Sequence, residues 1–197
     1  MTTVLSNLVI AQPVGSRVVA IQYQYVNPIG SLSNLFKPTS TFSLSLGKQT
    51  SERWAWKVKS EIIQYRKENR EKLYHKDLDL ELAIYGASAQ ASYNLFKTTS
   101  IFQPFLIGGA GVYRWFGHRG AYQLSEVLVP KRDQDDWSWG FNFGAGLNIF
   151  VIRNLAITIE SSYQIIIGEL WPALALRLEN VSGFQSLNGT IGLMIFF

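Results

Sequence analysis

The side chains able to do acid–base or nucleophilic chemistry are few. The chain has two histidines and no cysteine, which excludes thiol catalysis, zinc ribbons and disulfide scaffolds. His75 lies in a charged segment after Lys72, and His118 follows Gly117. A hydrolytic site would join a histidine to a hydroxyl and a carboxylate. His118 with Ser125 or Asp133 is the candidate set, yet no motif spacing ties these residues together. Two solvated loop histidines and no enzyme are the expectation. Asp133, Asp135 and Asp136 form an acidic tip without EF-hand spacing, so neither a metal nor a cofactor is expected. Gly108-Gly109-Ala110-Gly111 and Gly144-Ala145-Gly146 look like phosphate-binding loops, but such a loop must open a helix, and both runs sit in alternating, strand-like segments. Asn180-Val181-Ser182 and Asn188-Gly189-Thr190 match glycosylation sequons and are read as chance.

A second set of charges lies inside apolar segments. Lys57, Lys59 and Glu61 alternate with Trp56, Val58 and Ile62; Glu81 sits between Leu80 and Leu82; Arg114 sits between Tyr113 and Trp115; Glu160 follows Ile159. Charges in such surroundings must be paired. Lys57, Lys59, Glu61, Glu81, Glu160 and Arg114 are therefore expected to form one interior network.

The elements that must position them are strands. From Trp137 to Phe150 the odd positions are Trp, Trp, Phe, Phe, Ala, Leu and Ile, while the even ones are mostly Ser, Gly and Asn. The same period of two runs over 154–167 and 184–197. Soluble strands average about 5–6 residues, whereas a tilted strand needs about 9–11 to cross a bilayer. Eight strands follow: 16–27, 39–47, 52–65, 79–96, 101–116, 137–150, 154–167 and 184–197. Short connections at 48–51, 97–100 and 151–153 alternate with long ones at 28–38, 66–78, 117–136 and 168–183. The alternation breaks near Tyr85-Gly86, where a bulge is expected.

Composition agrees. The 197 residues are 47% hydrophobic, 14% aromatic and 16% charged, with net charge +4. No run of about 18 apolar residues offers a transmembrane helix. Alternating strands hide a membrane protein from any hydropathy average, because each strand cancels itself. The fold class expected is all-β: an eight-stranded antiparallel up-and-down transmembrane barrel, apolar outside and polar inside, with short periplasmic turns and long external loops. Trp137, Trp139, Tyr113, Trp115, Trp54 and Trp56 are assigned to aromatic girdles near strand ends, and Phe150, Phe196, Phe197 and Phe96 to the other edge. Eight strands leave an interior just wide enough for side chains, so the lumen is expected to be closed or very narrow. Trp171, Leu174, Ala175 and Leu178 fall at helical spacing in the last long loop. That apolar face either plugs the barrel mouth, lies on the membrane or docks a partner. The basic loop holding Arg66, Lys67, Arg70, Lys72 and Lys76 either contacts lipopolysaccharide phosphates or is a solvated hairpin tip. At the N-terminus, residues 1–15 stand apart from the barrel at 16–197. Val9-Ile10-Ala11 suits signal peptidase, and an ordinary N-terminal segment is the equal alternative.

Three stretches carry a family resemblance. They are Gln103 to Tyr113, with its Pro-Phe-Leu-Ile-Gly-Gly-Ala-Gly-Val core, Gly140 to Asn154, and the C-terminal Met194-Ile195-Phe196-Phe197. The chain resembles the small eight-stranded bacterial outer-membrane barrels, the OmpA-, OmpX- and OmpW-like group. The resemblance implies residence in the bacterial outer membrane, among its lipid and lipopolysaccharide. It also implies that Leu193, Ile195 and Phe197 form the signal read by the barrel-assembly machinery. It does not supply an activity: the family hosts anchors and adhesins, narrow channels and lipid-modifying enzymes. An anchoring or accessory-subunit role through the loops, with a protein partner in an outer-membrane complex, is the leading expectation. A narrow channel for small or hydrophobic solutes is the alternative. No nucleic-acid partner is expected.

Overall fold

The computed structural model describes residues 14–73, 78–96, 100–124, 127–170 and 181–197. Its strands are β1 (Arg17–Ile29), β2 (Thr39–Gln49), β3 (Trp54–Tyr65), β4 (Leu80–Asn94), β5 (Phe102–Arg119), β6 (Tyr122–Leu124), β7 (Val127–Val129), β8 (Arg132–Ile152), β9 (Leu155–Leu170) and β10 (Val181–Phe196), with one short helix, α1 (Leu32–Leu35). Eight of the strands close a barrel in the order β1-β10-β9-β8-β5-β4-β3-β2. The closing seam runs antiparallel from Val18↔Phe196 to Ile29↔Gln185. Closure removes the free edges that would otherwise leave backbone groups unpaired in hydrocarbon. Among the described residues no helix is long and apolar enough to cross a membrane.

The period of two in the sequence becomes an outside and an inside. Ile21, Leu44, Leu46, Val58, Leu106, Ile159, Ile191 and Leu193 form an exposed apolar band. Tyr25, Phe42, Tyr85, Phe116, Trp137 and Trp139 ring the end of the long loops, and Trp54, Trp56, Phe96, Phe102 and Phe197 ring the end of the short turns, all exposed. An apolar belt between two aromatic rings is a wall built to face hydrocarbon. Four aromatics assigned to girdles from the sequence are not there. Tyr113, Trp115, Phe150 and Phe196 point inward and are buried, because their parity places them on the lumen face. Trp54 and Trp56 lie at the turn end, since β3 rises from the short turn.

The described residues of the interior form three zones. At the loop end, Leu80, Leu82 and Ile84 of β4 pack with Ile63, Tyr113, Trp115, Ile166 and Phe184. At the turn end, Val18, Phe150, Ala156 and Phe196 form a smaller cluster, with the Phe150 and Phe196 rings 5.4 Å apart. Between them the buried side chains are mostly Gln, Ser, Asn, Thr, Lys and Glu, with Ala20, Phe105 and Ile107 among them.

Three local features depart from the sequence reading. The bulge expected at Tyr85-Gly86 is absent: the ladders continue through Gly86↔Glu61 and Gly86↔Tyr113. The pattern breaks because the inner face of β4 changes from apolar to polar there. A Cβ on Gly86 would lie 2.3 Å from the Tyr113 ring, so only glycine fits beside it. Register shifts sit instead between Phe150 and Ile152 of β8 and between Ser182 and Phe184 of β10, where Gly183 takes φ 78°, a conformation that costs glycine little. Finally, the segment 117–136 is not a plain loop. β5 and β8 stay paired to Arg119↔Arg132, and β6 pairs with β7 above them, so a raised hairpin stands on the barrel.

Candidate functional site

The polar middle of the lumen is held by two sets of buried polar contacts. Lys57 Nζ of β3 reaches Glu160 Oε2 of β9 at 3.2 Å. Lys59 Nζ lies 3.1 Å from Glu61 Oε2 and donates to Gln24 Oε1 at 2.7 Å. The Gln164 amide donates to Glu61 Oε1 at 2.7 Å and to the Tyr113 hydroxyl at 3.0 Å, and itself accepts from Asn188 at 3.1 Å. Two lysines face two glutamates, so the two sets are neutral overall. β3 and β9 have three strands between them on either path round the barrel. The Lys57–Glu160 and Glu61–Gln164 contacts therefore cross the full diameter.

Glycines make room for this filling. The Tyr113 ring is flanked by Gly86 and Gly140, where a Cβ would approach it to 2.3 Å and 2.5 Å. Gly146 faces the Phe105 ring in the same way, at 2.4 Å. Small residues beside large ones are how a narrow barrel interior packs.

Four of the six charges expected in the lumen are there: Lys57, Lys59, Glu61 and Glu160. Glu81 and Arg114 are not. Both are exposed on the outer face, because β4 and β5 present Leu80, Leu82, Tyr113 and Trp115 to the interior at that height. Outside, Glu81 pairs in register with His118, and His118 with Asp133. His118 Nδ1–H donates to Asp133 Oδ1, and Arg114 NH2 lies 2.9 Å from Asp135 Oδ2. Arg114 also stacks over Phe116 and Trp137, 5.0 Å and 5.6 Å from their centroids. These cross-strand pairs brace the β5–β8 ladder, which continues beyond the girdle to Arg119↔Arg132. His118 and Asp133 thus do meet. The groove beside them, of about 320 Å³ and lined by Gln64, Arg66, Glu81, Phe116, His118 and Asp135 among others, contains no serine, threonine or cysteine. The described residues there offer no hydroxyl or thiol nucleophile beyond an inward tyrosine. Among the described residues no three His, Asp or Glu side chains converge as metal ligands.

The loop mouth is filled by residues the sequence reading did not single out. Leu32, Leu35 and Phe36, in and just after α1, are buried with Leu73 and Leu78 of the next connection. Phe36 packs on Tyr65 at 5.4 Å. Asn69 latches the two connections, its amide donating to Ser33 O at 2.9 Å and its backbone N–H to Leu35 O at 2.8 Å. Each such side chain buried from water contributes about 1.5–3 kcal/mol. The signal was present: Leu32, Leu35 and Phe36 fall at i, i+3 and i+4. The expected plug residues Trp171, Leu174, Ala175 and Leu178 lie outside the described residues, as do His75, Ser125 and residues 1–13. At the opposite end, Leu193, Ile195 and Phe197 all face outward.

A closed eight-stranded wall with lipid-facing girdles and a packed polar interior narrows the choice of architecture to one. The fold is that of the small outer-membrane β-barrels. The structure is similar to that of Neisserial surface protein A, with TM-score 0.57 at 19% identity, covering 92% of this chain and 97% of that one. It is similar to the outer membrane protein OprG of Pseudomonas aeruginosa, with TM-score 0.56 at 13% identity over 96% and 99%. A major outer membrane protein of Thermus thermophilus gives TM-score 0.61 at 6% identity over 92% and 99%. By sequence, no family model and no curated relative matches the chain. The likeness therefore lies in backbone architecture, and an activity has to be argued from this chain's own residues.

Proposed function

We propose that this chain is an integral protein of the bacterial outer membrane whose lumen is closed and whose work is done at its outer rim. Its role is anchoring: the barrel holds the raised β5–β8 hairpin and the loop-end connections at the cell surface, as an accessory subunit or attachment point for a protein partner. The short turns then face the periplasm. The observation that carries the reading is the Lys57–Glu160 contact across the lumen diameter, enclosed between an apolar cluster at each end. An ion entering this barrel would have to displace buried aromatic rings and then break a buried ion pair, each costing several kcal/mol. The reading is non-enzymatic.

The test is reconstitution of the full chain into planar bilayers and, in parallel, gentle extraction from native membranes. We expect no unitary conductance, and co-purification of a partner that is lost when 120–131 is replaced by a short Gly-Asn turn. Steady single-channel current would overturn the closed-lumen reading in favour of a narrow channel. Unchanged co-purification after loss of the hairpin would move the contact elsewhere on the rim.

A further inference from the structure

The ladder between β2 and β3 stops early. It runs from Gln49↔Ala55 to Ser43↔Glu61. Yet β1 holds β2 as far as Thr39, and β4 holds β3 as far as Tyr65. In the gap, side chains replace the backbone: Thr41 Oγ1 donates to Ile62 O, and Thr39 Oγ1 donates to Gln64 O at 2.9 Å. The wall recloses above, where Lys37 N–H donates to Lys67 O at 2.9 Å and Phe36 bridges to Glu68. Pro38 falls within the gap and has no N–H with which to extend a ladder.

A groove of about 430 Å³ occupies the outer side of this gap, lined by Lys37, Arg66 and Lys67 together with Thr39, Ser40, Gln64 and Pro38. Three cations and no carboxylate line it. Lys37 has an ion pair, with Glu71 at 3.6 Å, and both side chains are largely exposed. Arg66 and Lys67 have no ion pair among the described residues. Just below, the Tyr23 hydroxyl donates to Ser40 Oγ at 2.7 Å, and the Tyr23 ring packs edge-on against Phe42 at 5.5 Å. Both rings face outward with the apolar band. The groove therefore sits at the upper border of the lipid-facing wall, where headgroup phosphates lie. Guanidinium and ammonium groups bind phosphate through charge-assisted hydrogen bonds; the Ser40 hydroxyl, which accepts from Tyr23 and keeps its own proton, and the Gln64 side-chain amide supply neutral donors, while the Thr39 hydroxyl is spent on Gln64 O.

We propose that this groove is an oxyanion site that takes the phosphate of a lipid headgroup in the surrounding leaflet. The inference rests on the barrel spanning the membrane. It assigns a position and a chemistry to the basic rim, and it uses Lys37, which lies outside the basic loop. The gap in the ladder is what makes the site: a continuous ladder would close the wall at this point.

The test uses the full chain in dodecyl maltoside micelles, which carry no phosphate, with amide chemical shifts of Thr39, Ser40 and Gln64 as the readout. One arm adds phosphatidic acid to the micelles, and the other adds inorganic phosphate to the buffer. Phosphatidic acid should give saturable shifts. In the triple variant Lys37→Gln, Arg66→Gln, Lys67→Gln, binding should weaken by at least about tenfold, as expected for losing charge-assisted bonds. The charge-preserving set Lys37→Arg, Arg66→Lys, Lys67→Arg should retain binding, and Arg153→Gln at the turn end should not affect it. Unshifted amides with both probes, or equal binding by the triple variant, would overturn the site. Shifts with inorganic phosphate alone would uphold the oxyanion chemistry and overturn the lipid source. In phosphatidylcholine nanodiscs, a lipid-anchored paramagnetic label that failed to broaden both Trp137 and Trp54 would refute the membrane-spanning premise separately.

Discussion

Lys57 and Glu160 meet at 3.2 Å from strands on opposite sides of the barrel. The lysine side chain is 14% exposed and the glutamate 3%. An ion pair spanning a diameter is both a brace and a stopper, and its two partners are separately expensive to bury.

That asymmetry gives the first prediction. Glu160→Gln leaves Lys57 uncompensated and should cost about 3–5 kcal/mol. Replacing both, as Lys57→Met with Glu160→Leu, should recover most of that loss, because a well-packed apolar pair of similar volume is close to neutral. The check is urea unfolding in micelles followed by loss of heat-modifiable mobility, for both single variants and the double. Equal destabilisation by the double and the single would mean that the pair is not coupled.

The packing of Tyr113 gives the second. Its ring occupies the space that side chains on Gly86 and Gly140 would need. Gly86→Ala should destabilise by about 1–3 kcal/mol through overpacking. Tyr113→Leu in the same background should relieve the clash, although it removes the hydroxyl that accepts from Gln164. A double-mutant cycle of unfolding free energies reads the coupling, and an additive result would refute the steric account.

What the sequence made legible follows from physics. Parity decided inside from outside wherever a strand kept one character along its length, as 137–150 and 184–197 do. The barrel, its strand count and four of six lumen charges were therefore readable from residue type alone. Parity failed where the inner face changes character with height. Leu80, Leu82 and Ile84 are inward beside Tyr113 and Trp115, so an apolar inner face there looked like a lipid face and sent Glu81 and Arg114 to the wrong side. The raised hairpin was hidden because its outward residues are charged. His118, Asp133 and Asp135 read as loop composition, while their place in the β5–β8 ladder makes them strand residues. The β2–β3 gap leaves no trace in composition beyond Pro38.

The raised hairpin yields a third prediction. The His118–Asp133 and Arg114–Asp135 pairs are solvent-exposed, and exposed pairs contribute little to global stability, about 0–1 kcal/mol. The double variant Asp133→Asn, Asp135→Asn should leave the unfolding midpoint nearly unchanged. Amide exchange should quicken across 116–119 and 132–135 while remaining slow over 104–112, because the charge pairs brace a backbone ladder that runs on to Arg119↔Arg132 beyond the girdle. Hydrogen-exchange mass spectrometry separates the two segments, and uniform protection in the variant would refute the role given to the pairs.

The C-terminal strand yields the last. The Phe197 side chain is exposed on the lipid face, while its backbone N–H donates to Arg17 O at 3.0 Å. Phe197→Ala keeps that hydrogen bond and removes little packing, so the variant refolded from urea into detergent should match the parent in stability. If Leu193, Ile195 and Phe197 are read during assembly, the same change should cut the heat-modifiable fraction in cell membranes several-fold, with unfolded chain accumulating before the membrane. Conversely, Leu193→Ile, which keeps an apolar group on the same outward face, should leave assembly intact. Semi-native electrophoresis of membranes and of refolded protein, side by side, distinguishes an assembly signal from a packing residue: equal loss in both would make Phe197 structural, and loss in neither would leave the C-terminal strand with pairing as its whole task.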